Sequence, residues 1–119
     1  MKTKRIISLI VFVLILSVST TTLAVKETLT PNGYVVLHDS YRDNYNGDTR
    51  GVSKTKVYRA TDPTQTKYHY SRVRLYKNGG ILVDSGRVWG SSGWVIARTD
   101  YTRNASDIVL RSYWGGVYE

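Results

Sequence analysis

Hydrophobic and polar residues alternate most clearly between Tyr68 and Trp89. One side of the first half carries small or apolar side chains and one histidine: His69, Ser71, Val73 and Leu75. The other side carries aromatic and arginine side chains: Tyr68, Tyr70, Arg72, Arg74 and Tyr76. Asn78-Gly79 follows, and both residue types tolerate the positive φ angles of tight hairpin turns. The segment therefore predicts a β-hairpin with one inward and one outward face.

Four further segments have the short, β-branched or aromatic character of strands. They are Tyr34–His38, Val52–Ala60, Trp94–Thr99 and Asp107–Trp114. Turn residues separate them, including Thr61–Thr64, which contains Pro63, and Gly90–Gly93. The chain after residue 24 contains no sustained helical period. The pattern predicts an all-β fold, a small antiparallel β-sandwich of about six strands, with a small barrel as the alternative.

Asp39 to Gly51 is polar and shows no strand or helix period, so we expect a long surface loop. Several of its side chains offer oxygen ligands for calcium: Asp43, Asn44, Asn46 and Asp48. The ordered spacing of a calcium loop and its terminal glutamate are missing. An ordinary loop rich in Asp and Asn is the preferred interpretation.

The N-terminus has the three parts of a secretory signal peptide. Met1–Arg5 is basic, Ile6–Val18 is apolar, and Ser19–Ala24 consists of small and polar residues before a plausible cleavage site. The apolar run is short for a membrane-spanning helix, although an uncleaved signal anchor is the alternative. We expect a cleaved signal peptide over 1–24, a single secreted domain over 25–119, and no spanning segment in the mature chain.

The charge favours anionic partners. The full chain has a formal charge of +8, which falls to +5 without Lys2, Lys4 and Arg5. A cationic secreted protein is attracted to anionic components of the cell envelope, such as lipid headgroups and pyrophosphate-linked wall precursors. The charges are scattered rather than clustered, so nucleic acid is not the expected partner. The chain contains no cysteine, which excludes disulfides and thiol chemistry.

Residues suited to catalysis are few. His38-Asp39-Ser40 contains the residue types of a catalytic triad, but neighbours on one strand do not converge on one reacting atom. His69 lies on the inward side of its strand, where a satisfied histidine is the simpler interpretation. Neither zinc spacing nor a carboxylate pair is evident. We therefore expect a protein that is not an enzyme, with no catalytic residues, metal ligands or cofactor.

Binding by the outward side of the hairpin is the stronger hypothesis. Its candidate ligand-binding residues are Tyr68, Tyr70, Arg72, Arg74 and Tyr76. Arginine matches phosphate and carboxylate geometry, and aromatic rings stack on sugars. The alternative is an ordinary polar outer face. Trp89, Trp94 and Trp114 are expected in the core or at its rim, or else in an exposed platform.

The segment from Tyr68 to Trp114 resembles the lactococcin 972 family of secreted bacteriocins. The resemblance rests on short motifs in about the last half of the mature chain: His69–Val73, Asn78-Gly79-Gly80, Gly93–Thr99, Arg103–Ser106 and Ser112-Tyr113-Trp114. Val25–Thr66 has no counterpart in the family. The resemblance implies a cysteine-free β-sandwich that acts outside the target cell, with lipid II and septal wall synthesis as its target. It carries over no target-contacting residues.

These observations predict a secreted, cationic, bacteriocin-like antibacterial protein that binds a wall precursor of the lipid II type. The alternative is a non-toxic secreted module that binds the envelope or its glycans. A hydrolase is the third possibility.

Overall fold

The computed structural model describes residues 25–116. The predicted signal peptide, 1–24, and the end of the predicted domain, 117–119, lie outside the described residues. Ten strands form two antiparallel sheets within the described part. The all-β, antiparallel sandwich-like architecture expected from the sequence is thus confirmed, with four short strands beyond the six that were expected.

The larger sheet, sheet A, is centred on a long hairpin. Its strands are β1 (Lys26–Leu29), β2 (Tyr34–Tyr45), β3 (Asp48–Arg59), β4 (Asp62–Thr66), β8 (Val95–Arg98) and β9 (Thr102–Arg103). β1 pairs with one side of β2, and β3 pairs with the other. The free side of β3 pairs in turn with β4, β8 and β9 at different points along its length.

The smaller sheet, sheet B, is centred on β5. Its strands are β5 (His69–Lys77), β6 (Gly80–Asp84), β7 (Val88–Gly90) and β10 (Val109–Gly116). β10 pairs with one side of β5, while β6 and β7 share the other side. Asn78 and Gly79 have φ angles of 52° and 79° at the β5–β6 turn. The predicted hairpin turn is therefore confirmed, although its second arm is divided into two strands.

The prediction of a long loop over Asp39–Gly51 is wrong. β2 and β3 continue through this segment in unbroken antiparallel register and meet at a two-residue turn, Asn46-Gly47. These residues have φ angles of 51° and 83°, which Asn and Gly adopt at little steric cost. The outer half of the hairpin is held by its backbone ladder, with polar side chains on both faces, so it lacks a hydrophobic period.

Smaller differences occur at other turns. The predicted turn at Thr61–Thr64 is largely strand β4, an edge strand in which Pro63 is tolerated because one side makes no ladder bonds. β1 and β9 form in segments for which the sequence predicted no strand. β8 and β10 begin one and two residues later than expected, and β10 extends to Gly116.

The core lies between the sheets. Val57, Val73 and Leu75 have no exposed surface, and Trp114 packs against a cluster of Tyr34, Val36 and Val57. A Cβ placed on Gly51 would lie 2.8 Å from Val73 Cγ2. The sheets therefore approach so closely at β3 and β5 that no side chain fits at this position.

Much of the interior is polar, and hydrogen bonds connect it across the sheets. Ser71 Oγ on β5 lies 2.7 Å from Ser53 Oγ and accepts a bond of 3.1 Å from Thr55 Oγ1. His38 lies between Thr55 Oγ1, 3.0 Å from Nδ1, and Ser112 Oγ, 2.7 Å from Nε2. Buried polar groups cost free energy unless they are paired, so this network fixes how the two sheets face one another.

No helix within residues 25–116 has the length and apolar character required to cross a membrane.

Candidate functional site

The outward side of β5 carries the five residues that the sequence singled out. Tyr70, Arg72, Arg74 and Tyr76 are half-buried on one face of sheet B, whereas His69, Ser71, Val73 and Leu75 are fully buried on the opposite face. Tyr68 precedes the strand and is exposed. The predicted alternation is therefore present in the structure, and the five side chains lie at the centre of a wider surface.

Strand pairing adds four residues to this surface, and a cation–π contact adds a fifth. Arg111 lies opposite Arg74, and Tyr113 lies opposite Arg72, both on β10. Asp84 on β6 and Trp89 on β7 flank β5 on its other side, and Arg87 stacks on Tyr70. We define the Tyr/Arg face as Tyr68, Tyr70, Arg72, Arg74, Tyr76, Asp84, Arg87, Trp89, Arg111 and Tyr113.

Asp84 forms ion pairs with both central arginines of the Tyr/Arg face, Arg72 and Arg74. Arg72 donates from Nε and Nη2 to the two carboxylate oxygens at 3.0 and 2.6 Å. Arg74 donates from Nε to Oδ2 at 2.9 Å. These contacts hold the pKa of Asp84 far below its usual range, with the Arg72 hydrogen bond as the main cause. The sequence alone suggested that both guanidinium groups are available to an anion. In the structure Asp84 already binds them, so an incoming anion must compete with this carboxylate.

Two phenols extend this cluster toward β10. The hydroxyls of Tyr76 and Tyr113 lie 3.1 Å apart, and Arg74 Nη1 donates to Tyr76 Oη at 3.2 Å. The pKa of Tyr76 is lowered, first by its hydrogen bond with Tyr113, and the pKa of Tyr113 is raised by the same bond. Either hydroxyl can donate to the other, and Tyr76 Oη also accepts from Arg74, so these three side chains form one hydrogen-bonded cluster.

Arg111 is a cation of the Tyr/Arg face that is available to a ligand. It lies directly opposite Arg74, and like charges in that arrangement repel. Its guanidinium is 5.9 Å from the Tyr76 ring centroid, and no carboxylate lies within salt-bridge distance of it among residues 25–116. A cavity of about 310 Å³ beside it is lined by Tyr76, Asn78, Gly79, Val109 and Arg111, with no acidic residue.

Aromatic rings form the other end of the Tyr/Arg face. Tyr68 stacks on Trp89 with ring centroids 4.9 Å apart and an angle of 18° between planes. Tyr70 meets the same indole at 5.1 Å, and Arg87 lies 4.6 Å from the Tyr70 centroid. Trp89 remains 40% exposed. The face thus combines a cationic end with an exposed aromatic end.

The two outer faces differ in charge. The Tyr/Arg face has four arginines and one aspartate, a formal charge of +3. The pairing register places five cations and four carboxylates on the outer face of sheet A: Arg50, Lys54, Lys56, Arg98, Arg103, Glu27, Asp39, Asp43 and Asp48. The aromatic and basic character is therefore common to both faces, and the excess of positive charge distinguishes sheet B.

The histidines have structural partners. His69 is fully buried, and its ring nitrogens lie 2.7 and 2.8 Å from the backbone oxygens of Lys67 and Thr55. The tautomer of the ring decides which of these oxygens accepts its N–H. Burial lowers the pKa of His38, which keeps its ring neutral near pH 7. Within residues 25–116, no three His, Asp or Glu side chains gather as a metal site would require.

The tryptophans divide between core and surface. Trp114 packs against the core. Trp94, which is 36% exposed on the outer face of sheet A, lies beneath Lys54 Nζ at 5.1 Å from the ring centroid. Trp89 belongs to the Tyr/Arg face. The expectation of core or rim positions therefore describes Trp114 best.

Sequence reasoning missed half of the Tyr/Arg face: Asp84, Arg87, Trp89, Arg111 and Tyr113. Trp89 was noted as a ring of the core or rim, or else of an exposed platform. The remaining four depend on which strands pair with β5 and in what register, and that is not contained in the alternation of one strand. Arg111 and Tyr113 do alternate with Leu110 and Ser112, which was the available signal that they face outward.

Comparisons with protein-family models, characterised proteins and solved structures found no match.

Proposed function

We propose that this chain is a secreted, cationic, bacteriocin-like antibacterial protein that acts on the envelope of target bacteria. It acts by binding an anionic wall precursor of the lipid II type through the Tyr/Arg face. The observation that carries the proposal is the grouping of Arg72, Arg74 and Arg111 with two oriented phenols on one exposed sheet face. The N-terminal signal and the family resemblance provide the biological context.

The chemistry of the Tyr/Arg face suits a phosphate-bearing ligand. Guanidinium groups bind phosphate through directed, charge-assisted hydrogen bonds. The three arginines and Asp84 leave a local charge of +2, which a pyrophosphate would neutralise. The exposed rings of Tyr68 and Trp89 lie at the other end of the face, where they would contact the sugar part of such a ligand.

Growth inhibition tests the proposal directly. The mature chain, 25–119, should inhibit susceptible Gram-positive bacteria, and added lipid II should antagonise the inhibition. Arg111→Gln should lower both activity and lipid II binding, because it removes a cation of the Tyr/Arg face that no carboxylate neutralises among the described residues. Arg98→Gln is the matched control, since it removes an exposed charge from sheet A. A lack of inhibition across a broad bacterial panel would refute the antibacterial proposal.

The non-toxic binding module remains the second candidate because the Tyr/Arg face suits binding whether or not the cell dies. Attachment of the mature chain to whole cells without loss of viability would favour it. Loss of that attachment in Arg111→Gln would still assign binding to the same face.

A further inference from the structure

Two exposed tyrosines lie together at the tip of the β2–β3 hairpin, on the outer face of sheet A. The ring centroids of Tyr45 and Tyr101 are 6.4 Å apart, with 53° between the planes. Tyr45 is 66% exposed and Tyr101 is 40% exposed. Neither ring belongs to the buried core.

Neighbouring side chains hold the second ring in place. Arg50 stacks over Tyr101 at 4.8 Å from the ring centroid. Tyr101 donates its hydroxyl proton to Asp43 Oδ2 at 3.3 Å, and Arg50 donates to the same oxygen from Nε at 2.9 Å. Arg50 Nη2 also lies 2.9 Å from that oxygen as an ion pair. All of these bonds use Oδ2, and Asp43 is 38% exposed. Its other oxygen remains able to accept a hydrogen bond from a ligand.

Charge at the tip is balanced. Asp43 pairs with Arg50, and Asp48 lies opposite Arg103 in the strand register. The local formal charge is zero, in contrast to the +3 of the Tyr/Arg face. An oriented pair of rings with nearby donors and acceptors but no net charge suits an uncharged ligand that has both an apolar face and hydroxyl groups.

We propose that Tyr45, Tyr101 and Asp43 form a second binding site, which takes an uncharged saccharide. The apolar face of a pyranose ring packs on the exposed Tyr45 ring, and a sugar hydroxyl donates to the carboxylate of Asp43. The site is on the opposite sheet from the Tyr/Arg face and does not depend on the function proposed for that face.

NMR titration of the mature chain, 25–119, with a panel of neutral trisaccharides tests this site. The panel comprises tri-N-acetylchitotriose, cellotriose and maltotriose. At least one should bind with shifts centred on Tyr45 and Tyr101, and Tyr45→Ala should weaken its binding by roughly fivefold, as expected from loss of an aromatic contact. Leu29→Ala, which removes an equally exposed apolar side chain from the far end of the same sheet, should leave the affinity unchanged.

Three results would overturn the proposal: no binding by any trisaccharide, shifts centred elsewhere, or unchanged affinity in Tyr45→Ala. Because Tyr45 is largely exposed, its replacement should preserve the fold, and the dispersion of the NMR spectrum verifies this in the same sample. A parallel titration with inorganic pyrophosphate examines the Tyr/Arg face. The two sites can therefore fail separately.

Discussion

Replacing Asp84 by asparagine should strengthen anion binding by the Tyr/Arg face and weaken the fold. The carboxylate now receives three hydrogen bonds, at 3.0, 2.6 and 2.9 Å, from Arg72 and Arg74. Asparagine keeps the size of the side chain but removes its charge. Both guanidiniums then become available to a ligand, while the native state loses its central ion pairs.

The size of the affinity change follows from Coulomb's law. A phosphate bound by the same arginines would lie about 5 Å from Asp84, where each unit of its charge is repelled by roughly 0.8 kcal/mol in water. For a dianion, screening by salt leaves about 1 kcal/mol, or about fivefold in Kd. The Arg72 and Asp84 side chains are 24% and 26% exposed, and screening by solvent should hold the cost of losing their ion pair to roughly 1 kcal/mol of unfolding free energy.

Isothermal titration with inorganic pyrophosphate at low salt, together with urea unfolding, measures both effects. Asp100→Asn is the matched control, because it makes the same charge change at an exposed residue outside the Tyr/Arg face. Equal affinity gains in both variants would mean that only net charge matters. An unchanged or weaker affinity in Asp84→Asn would refute the assignment of the anion site to Arg72 and Arg74.

The remaining predictions concern stability, measured by urea unfolding. Burial lowers the pKa of His38, so as the pH drops below about 6.5 the unfolded chain binds a proton before the folded chain does, and the free energy of unfolding should fall. His38→Gln should flatten this pH dependence. An unchanged slope in that variant would contradict the prediction. His69→Leu removes the hydrogen bond that the buried imidazole donates to a backbone oxygen and should cost about 1–3 kcal/mol of unfolding free energy. A loss well below about 1 kcal/mol would count against this prediction. Gly51→Ala places a Cβ 2.8 Å from Val73 Cγ2 and should cost about 1–3 kcal/mol of unfolding free energy. Gly80→Ala, in which the nearest atom to the new Cβ is 3.7 Å away, should be nearly neutral. Equal effects of the two substitutions would refute the close approach of the sheets.

The parts of the fold that the sequence predicted are those where one face of a strand is buried. β5 alternates cleanly because His69, Ser71, Val73 and Leu75 face the other sheet. The outer half of the β2–β3 hairpin has polar residues on both faces, including Arg42 and Asn44, so no period marks it as strand. Asn46-Gly47 was the local signal that should have outweighed the polarity.

The candidate site was predicted only in part for a related reason. Alternation along β5 identifies which of its side chains point outward, but cross-strand register determines their neighbours. Asp84 changes the chemistry of the face most, since it neutralises part of the charge of Arg72 and Arg74. Its distance from them in the sequence gave no indication of the pairing. The tyrosine pair at the hairpin tip was hidden because its segment was interpreted as a loop.

The most direct test of the central claim is a titration of the isotope-labelled mature chain, 25–119, with a soluble lipid II analogue, followed by NMR. The account predicts saturable binding with the largest shifts at the side chains of Arg72, Arg74 and Arg111, and loss of those shifts in Arg111→Gln. Absence of binding, or shifts confined to sheet A, would contradict it.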